Sequence, residues 1–144
     1  MDNYTIKFLS PPKDISIKLN ASKSESNRLI IIKALSKEKI KIKNLSNAND
    51  TLLLKNLIKN NSSNTWNAED AGTSMRFLTS YLSITKENVL LTGTDRMKKR
   101  PIKILVDALN KIGATVLYKG EEGYPPINIK RKVVQKNNKV EIRG

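Results

Sequence analysis

The sequence predicts an α/β fold assembled from repeated helix and strand units, and three observations carry that prediction. The polar segments Ser24-Glu25-Ser26-Asn27-Arg28 and Gly72-Thr73-Ser74-Met75-Arg76 stand 48 residues apart. Each opens an apolar run of helical length. The same offset, without a gap, carries Arg28 onto Arg76, Ile42 onto Leu90, Leu54 onto Ile102, Leu57 onto Leu105 and Ile58 onto Val106. A fixed internal period marks a duplicated supersecondary unit. Each copy therefore reads helix, strand, helix.

The elements follow in chain order. Tyr4 to Leu19 contains the alternation Ile15, Ile17, Leu19 after Pro11-Pro12, which predicts strands around a proline-stiffened turn. A helix is expected from about Ser24 to Ser36; Leu29-Ile30-Ile31-Ile32 with Ala34 and Leu35 are apolar on more than one face, so it should be largely buried. Ile40 to Leu45 reads as a strand whose Lys39, Lys41 and Lys43 face solvent. Asp50 or Thr51 would cap the next helix, which carries Leu53, Leu54, Leu57 and Ile58 at i, i+3, i+4 spacing and ends in Asn60-Asn61-Ser62-Ser63-Asn64.

A short strand near Thr65 to Ala68 precedes the second copy: helix Thr73 to Ser83, strand Val89-Leu90-Leu91, loop Gly93-Thr94-Asp95-Arg96 and helix Pro101 to Ile112. Proline suits a first helical position and Gly113 suits the residue just past the end. Strands Ala114 to Tyr118 and Ile127 to Lys130 flank the turn Gly123-Tyr124-Pro125-Pro126, and a last strand is expected at Val140 to Arg143. By the repeat, another helix should follow that strand, which predicts a longer protein.

Composition narrows the chemistry. A chain of 144 residues is long enough for one domain with a core. It has no cysteine and no histidine, so disulfides, thiolate metal sites and imidazole acid/base chemistry are excluded, and proton transfer falls to Lys, Asp, Glu or Tyr. The N-terminus lacks the pattern of a signal peptide, and no apolar stretch reaches membrane-spanning length, which predicts a cytoplasmic protein without membrane contact. The net charge of +14 invites a nucleic-acid reading. Against it, the lysines are dispersed, and aromatic residues at 5% leave little for base stacking.

The two repeated segments are anion-binding chemistry. A helix N-terminus offers free N–H groups and the positive end of its dipole, and Ser, Thr and Arg side chains add donors. Lys23 adds a mobile cation, as a surface lysine or as a phosphate ligand or acid/base group. Gly72 either lets a ligand approach the backbone or simply permits a tight turn. Asp70 is a helix cap or a ligand contact, and Arg76 pairs with an acidic neighbour or with a ligand. Arg96-Met97-Lys98-Lys99-Arg100-Pro101 is a solvated basic loop by composition; by position, an arginine held before a helix start is placed to clamp a carboxylate or phosphate.

Taken together, Lys23-Ser24-Glu25-Ser26-Asn27-Arg28, Asp70-Ala71-Gly72-Thr73-Ser74-Met75-Arg76, Arg96-Met97-Lys98-Lys99-Arg100-Pro101-Ile102 and Gly123-Tyr124-Pro125-Pro126 resemble, in order and spacing, the N-terminal part of the 5-enolpyruvylshikimate-3-phosphate synthase (3-phosphoshikimate 1-carboxyvinyltransferase) family. The resemblance implies an enolpyruvyl transferase-like α/β fold, with repeated helix and sheet units around a pseudo-threefold axis, incomplete in this chain. Residues 1–20 would be opening strands of the other domain, and 21–144 two of three units of one domain. It implies transfer of the carboxyvinyl group of phosphoenolpyruvate to the 5-hydroxyl of shikimate 3-phosphate, on the path to chorismate and the aromatic amino acids, with no metal or organic cofactor. Lys23, Ser24 and Arg28 would hold shikimate 3-phosphate; Lys23, Gly72 and Arg100 would meet phosphoenolpyruvate, and Lys23 would be the catalytic group of this part. Asp70 stands where many members carry Asn. The family's third repeat, opening Ser-Ser-Gln, falls beyond Gly144, as does the following domain with its acid/base residues. The expectation is an N-terminal portion, inactive alone, of an enzyme monomeric when intact. A non-catalytic basic module that binds nucleic acid or other polyanions is the competing expectation.

Overall fold

In a computed structural model, residues 4, 5, 7, 10, 14, 16, 18–60, 62–131 and 133–142 are described. Helix α1 (Lys23–Leu35) is capped by Ser22, whose hydroxyl accepts from the Glu25 N–H. Helix α2 (Asn49–Lys59) follows, then β1 (Thr65–Asn67), α3 (Gly72–Thr85), β2 (Val89–Thr92), the single turn α4 (Asp95–Lys98), α5 (Lys103–Ile112), β3 (Thr115–Tyr118) and β4 (Ile127–Arg131). The alternation of helix and strand expected for the second copy is present throughout.

The sheet runs β1-β2-β4-β3. β1 and β2 are parallel, as a pair joined by the crossover helix α3 must be, and β4 lies antiparallel to both β2 and β3. One face of the sheet is a continuous apolar surface. Trp66 pairs with Leu91 and Leu91 with Ile127; Val89 pairs with Ile129 and Ile129 with Val116; all six are buried. α3 packs against this face at β2 and β4, and α5 packs beside it at β3. Met75, Leu78, Leu82 and Val106 fill the layer between, each with no exposed surface. The buried hydroxyls of α3 are satisfied within the helix: Thr79 donates to the Met75 carbonyl at 2.8 Å and Ser83 to the Thr79 carbonyl at 2.7 Å.

The first copy has its two helices without a sheet. α1 packs on α2 and α3, and α2 on α3, with Ile30 and Leu54 turned into the common core. Ile40 to Leu45 forms no strand. Its alternation survives, with Ile40 and Ile42 half-buried and Lys39, Lys41 and Lys43 exposed, but no described residue offers it a backbone ladder. The expectation that α1 is largely buried is likewise corrected. Only Ser26, Asn27 and Ile30 are buried, while Leu29, Ile32 and Leu35 are 42%, 55% and 45% exposed, because one stripe meets α2 and α3 and the other apolar side meets no described element.

Smaller corrections concern caps and ends. Ala48, not Asp50 or Thr51, is the N-cap of α2; both lie inside the first turn. α3 is capped by Ala71 without a side-chain bond, so Asp70 is not its cap. Pro101 precedes the N-cap Ile102 and does not occupy the first position of α5, whereas Gly113 does end that helix, at φ +123°. The loop expected at 93–96 contains the start of α4. Residues 140–142 form no strand, and neither do the described residues between 4 and 19; Arg143, Pro11, Pro12, Ile15 and Ile17 lie outside the described residues.

Candidate anion site at the gathered helix starts

The duplication seen in the sequence is repeated in the hydrogen bonds. Arg28 donates from Nη1 to the Ser24 carbonyl at 2.9 Å, and Arg76, its equivalent, donates from Nη1 to the Gly72 carbonyl at 3.2 Å. Ser26 and Ser74, also equivalent, are both buried and both reach out of their own helix. The Ser26 hydroxyl accepts from the Ser46 N–H at 2.9 Å, and the Ser74 hydroxyl donates to the Asp50 carbonyl at 3.1 Å. One serine of each polar segment is thus an architectural pin between neighbouring elements.

These pins gather helix N-termini. Lys23, the first residue of α1, places its ammonium 3.3 Å from the Asp50 carboxylate in the first turn of α2. The backbone of that same Asp50 is held by Ser74 in the first turn of α3. Thr94, the N-cap of α4, donates its hydroxyl to the Asp70 carboxylate just before α3. The starts of α1, α2, α3 and α4 are therefore linked in a chain of direct contacts. Each contributes unpaired N–H groups, and the longer helices add the positive ends of their dipoles, so their convergence favours an anion. The cleft of about 370 Å³ beside them is lined by three carboxylates, Asp50, Glu69 and Asp70, with Asn49, Leu53, Ala71 and Thr94, so an anion is favoured on the side of Lys23 and Arg100 and not in this cleft.

Gly72 and Arg100 form the second part of the site. The Arg100 guanidinium lies against the bare Cα of Gly72, and its Nη1 points to the Asp70 carbonyl at 3.5 Å. A side chain at residue 72 would occupy the guanidinium's place, since an added Cβ would stand 2.6 Å from its Cζ. What the missing side chain admits here is the chain's own guanidinium, an approach that neither expected reading of Gly72 described. Arg100 itself is exposed and keeps donors for a ligand. Among the described residues Arg76 pairs with no acid: its Nη2 donates to the Pro101 carbonyl at 3.0 Å, which anchors the segment carrying Arg100 to α3.

The residues singled out from sequence thus fall into two groups. Lys23, Gly72 and Arg100 are brought together around the first turn of α2 through Asp50, Ser74 and Asp70. Ser24 and Arg28 lie one turn along α1, bonded to each other, with Arg28 also over the Phe77 ring of α3 at 5.6 Å. Sequence reasoning treated Asp50 only as a cap and passed over Thr94 and Phe77. Thr94 carried a legible signal, a threonine three residues before the N–H it caps. Asp50 and Phe77 carried none, since their partners are 27 and 49 residues away.

Beside the site, Ile102 donates its N–H to the Gly123 carbonyl at 2.8 Å, tying the start of α5 to the turn 123–126. Lys103 clasps Glu122 at the same place; the hydrogen bond holds the Glu122 carboxyl below, and the Lys103 ammonium above, their ordinary titration ranges. Burial pushes the nearby Tyr118 phenol up. Among the described residues no group of three or more His, Cys, Asp or Glu side chains is arranged to hold a metal ion. No helix among them is long and apolar enough to cross a membrane.

Fold and contacts define an α/β protein built on a duplicated unit, with linked helix starts, Arg100 on Gly72 and, apart from these, Arg28 beside Ser24. The EPSP synthase (3-phosphoshikimate 1-carboxyvinyltransferase) family pattern matches residues 54–144. The chain belongs to this family. It is 49% identical over 125 residues to a 3-phosphoshikimate 1-carboxyvinyltransferase of Bacteroides fragilis, covering 85% of this chain and 30% of that protein. It is 37% identical to one of Haemophilus influenzae, covering all of this chain and 39% of that protein. The EPSP synthase structure from Acinetobacter baumannii superposes with a TM-score of 0.75 at 22% identity, over 83% of this chain and 32% of the other, which establishes the shared fold. The chain spans about a third of the length of the curated relatives it matches.

Proposed function

We propose that this chain is the N-terminal, anion-positioning part of a 3-phosphoshikimate 1-carboxyvinyltransferase. It would contribute Lys23, Ser24 and Arg28 to shikimate 3-phosphate and Lys23, Gly72 and Arg100 to phosphoenolpyruvate. The observation that carries this reading is the joining of the helix starts of α1, α2 and α3 through Lys23, Asp50 and Ser74, with Arg100 laid on Gly72 beside them. Both substrates carry a phosphate ester and a carboxylate, so a site of helix N-termini and guanidinium groups matches their charge.

In this reading the chain's work is positioning and charge stabilisation. Ser24 and Arg28, already bonded to each other, meet an anionic group of shikimate 3-phosphate. Arg100, fitted against Gly72, offers its planar fork to the carboxylate or phosphate of phosphoenolpyruvate. Lys23, next to Ser24 in sequence and paired with Asp50, would donate to either anion or pass a proton as they react. Residues 21–144 then supply two units of one domain, only the second carrying its sheet here, and residues 1–20 serve the other domain. The protein acts in the cytoplasm, without metal or organic cofactor, and needs the remaining length of its relatives for turnover.

Titration of the isotopically labelled chain with shikimate 3-phosphate tests the reading. Saturable amide shifts confined to residues 22–28 and their neighbours are the expected result. Equal shifts with double-stranded DNA, spread over the dispersed lysines, would favour the polyanion-binding module instead.

A further inference from the structure

Arg28 and Arg76 occupy equivalent positions in the two copies and share the bond to the carbonyl four residues back, yet their remaining environments differ. Arg76 spends Nη2 on the Pro101 carbonyl and is a structural strut. Arg28 has its hydrogen bonds on Nη1 alone among the described residues, both of them to Ser24. Its Nη2 and Nε edge is left with two parallel N–H donors, the fork that takes a phosphate in bidentate fashion. A ring lies beside that fork. Phe77 of α3 lies under the guanidinium, 5.6 Å from Cζ to ring centroid.

We propose that Phe77 is a positioning residue for Arg28, orienting its free Nη2/Nε edge toward an anionic group, carboxylate or phosphate, of the bound substrate. The inference rests on the reading that Arg28 meets shikimate 3-phosphate. A ring suits the task because it attracts the cation through its face without using any N–H donor. A carboxylate in the same place would occupy the fork and repel that anionic group. Phe77 also ties the two repeated segments together: it follows Arg76 directly, so the second copy's helix start orients the first copy's arginine. The ring is half-buried at a cleft of about 280 Å³ lined by Arg28, Ile31, Ile32, Phe77 and Ser80, and it packs against the edge of the core. A leucine in its place keeps that apolar packing and should leave the fold intact.

The test uses the full chain, with Phe77→Leu as the variant that keeps apolar bulk and removes the ring, and Phe77→Tyr as the conservative rescue. An exposed cation–ring contact corresponds to about a two- to five-fold change in an equilibrium constant. Phe77→Leu should weaken shikimate 3-phosphate binding by about that factor, and Phe77→Tyr should restore it. In an Arg28→Ala background, Phe77→Leu should have no further effect. The Arg28 Nε–H resonance should be displaced by the ring in the unaltered chain and return toward the free-arginine position in Phe77→Leu. Unchanged affinity in Phe77→Leu, or an equal loss with and without Arg28, would overturn the proposal. If the unaltered chain binds no shikimate 3-phosphate, the functional reading falls and the positioning role with it. The Arg28 resonance would then still report whether the ring holds the guanidinium.

Discussion

Replacing Gly72 with alanine separates the binding role of this residue from its structural one. The new Cβ would stand 2.6 Å from Cζ and 2.7 Å from Nη2 of Arg100, where ordinary contact begins at 3.4 Å. The guanidinium, whose Nη1 is nearer still, has to retreat by roughly 1 Å. That retreat is cheap for the fold, because Arg100 is an exposed, flexible side chain and Gly72 is the first residue of a regular helix. Alanine even gains helix propensity there, up to about 1 kcal/mol. Binding fares differently. A charge-assisted hydrogen bond contributes about 1.5–3 kcal/mol, so losing one from the displaced fork should weaken phosphoenolpyruvate roughly ten- to hundred-fold. Calorimetric titration with phosphoenolpyruvate in the presence of shikimate 3-phosphate reads the loss, and thermal unfolding reads the fold. Full affinity in a variant of unchanged melting temperature would refute the role given to Arg100. A large drop in melting temperature would refute the claim that the guanidinium yields freely.

Two further predictions follow from the same geometry. Ser26→Ala removes the acceptor of the buried Ser46 N–H; leaving that group unpaired should cost about 1–3 kcal/mol, measured by denaturant unfolding, and a loss below that range would mean the N–H finds another partner. The clasp between Lys103 and Glu122 should make stability sag at both ends of the pH scale. With the folded Glu122 carboxyl depressed, its contribution is full above the ordinary carboxylate range and fades as pH falls through the lowered value. With Lys103 and Tyr118 raised, theirs is full below their ordinary ranges and fades as pH rises through the raised values. Melting temperatures from pH 3 to 11 (roughly the span of these groups) check this, and Glu122→Gln should flatten the acid limb attributable to the pair.

The elements legible in the sequence are those whose signals are local. Gly113 after an apolar run and the alternation of Val89 and Leu91 or Ile127 and Ile129 each state their structure within a few residues, and the helices and strands expected for the second copy are present, with α4 added in the expected loop and α5 starting later than read. The gapless offset was legible for the same reason: equivalent residues keep equivalent neighbours, down to the arginine bonded four residues back in both copies. The failures share one cause. Ile40 to Leu45 has the alternation of a strand, and α1 has the apolar breadth of a buried helix, but strand and burial both require a partner surface, which no described residue provides.

The sequence by itself determined that two hydroxyl- and arginine-bearing helix starts recur in one repeat, because residue types and spacing suffice to state that. Their division of labour was decided only by tertiary structure. Asp50 joins Lys23 to Ser74, Arg100 lies on Gly72, and Phe77 lies under Arg28 while Arg76 is spent on the Pro101 carbonyl. Each of these contacts spans two dozen or more residues of chain. The physical reason is that an anion site needs several donors converging on one point, and convergence is a property of packed helix ends that spacing along the chain does not encode.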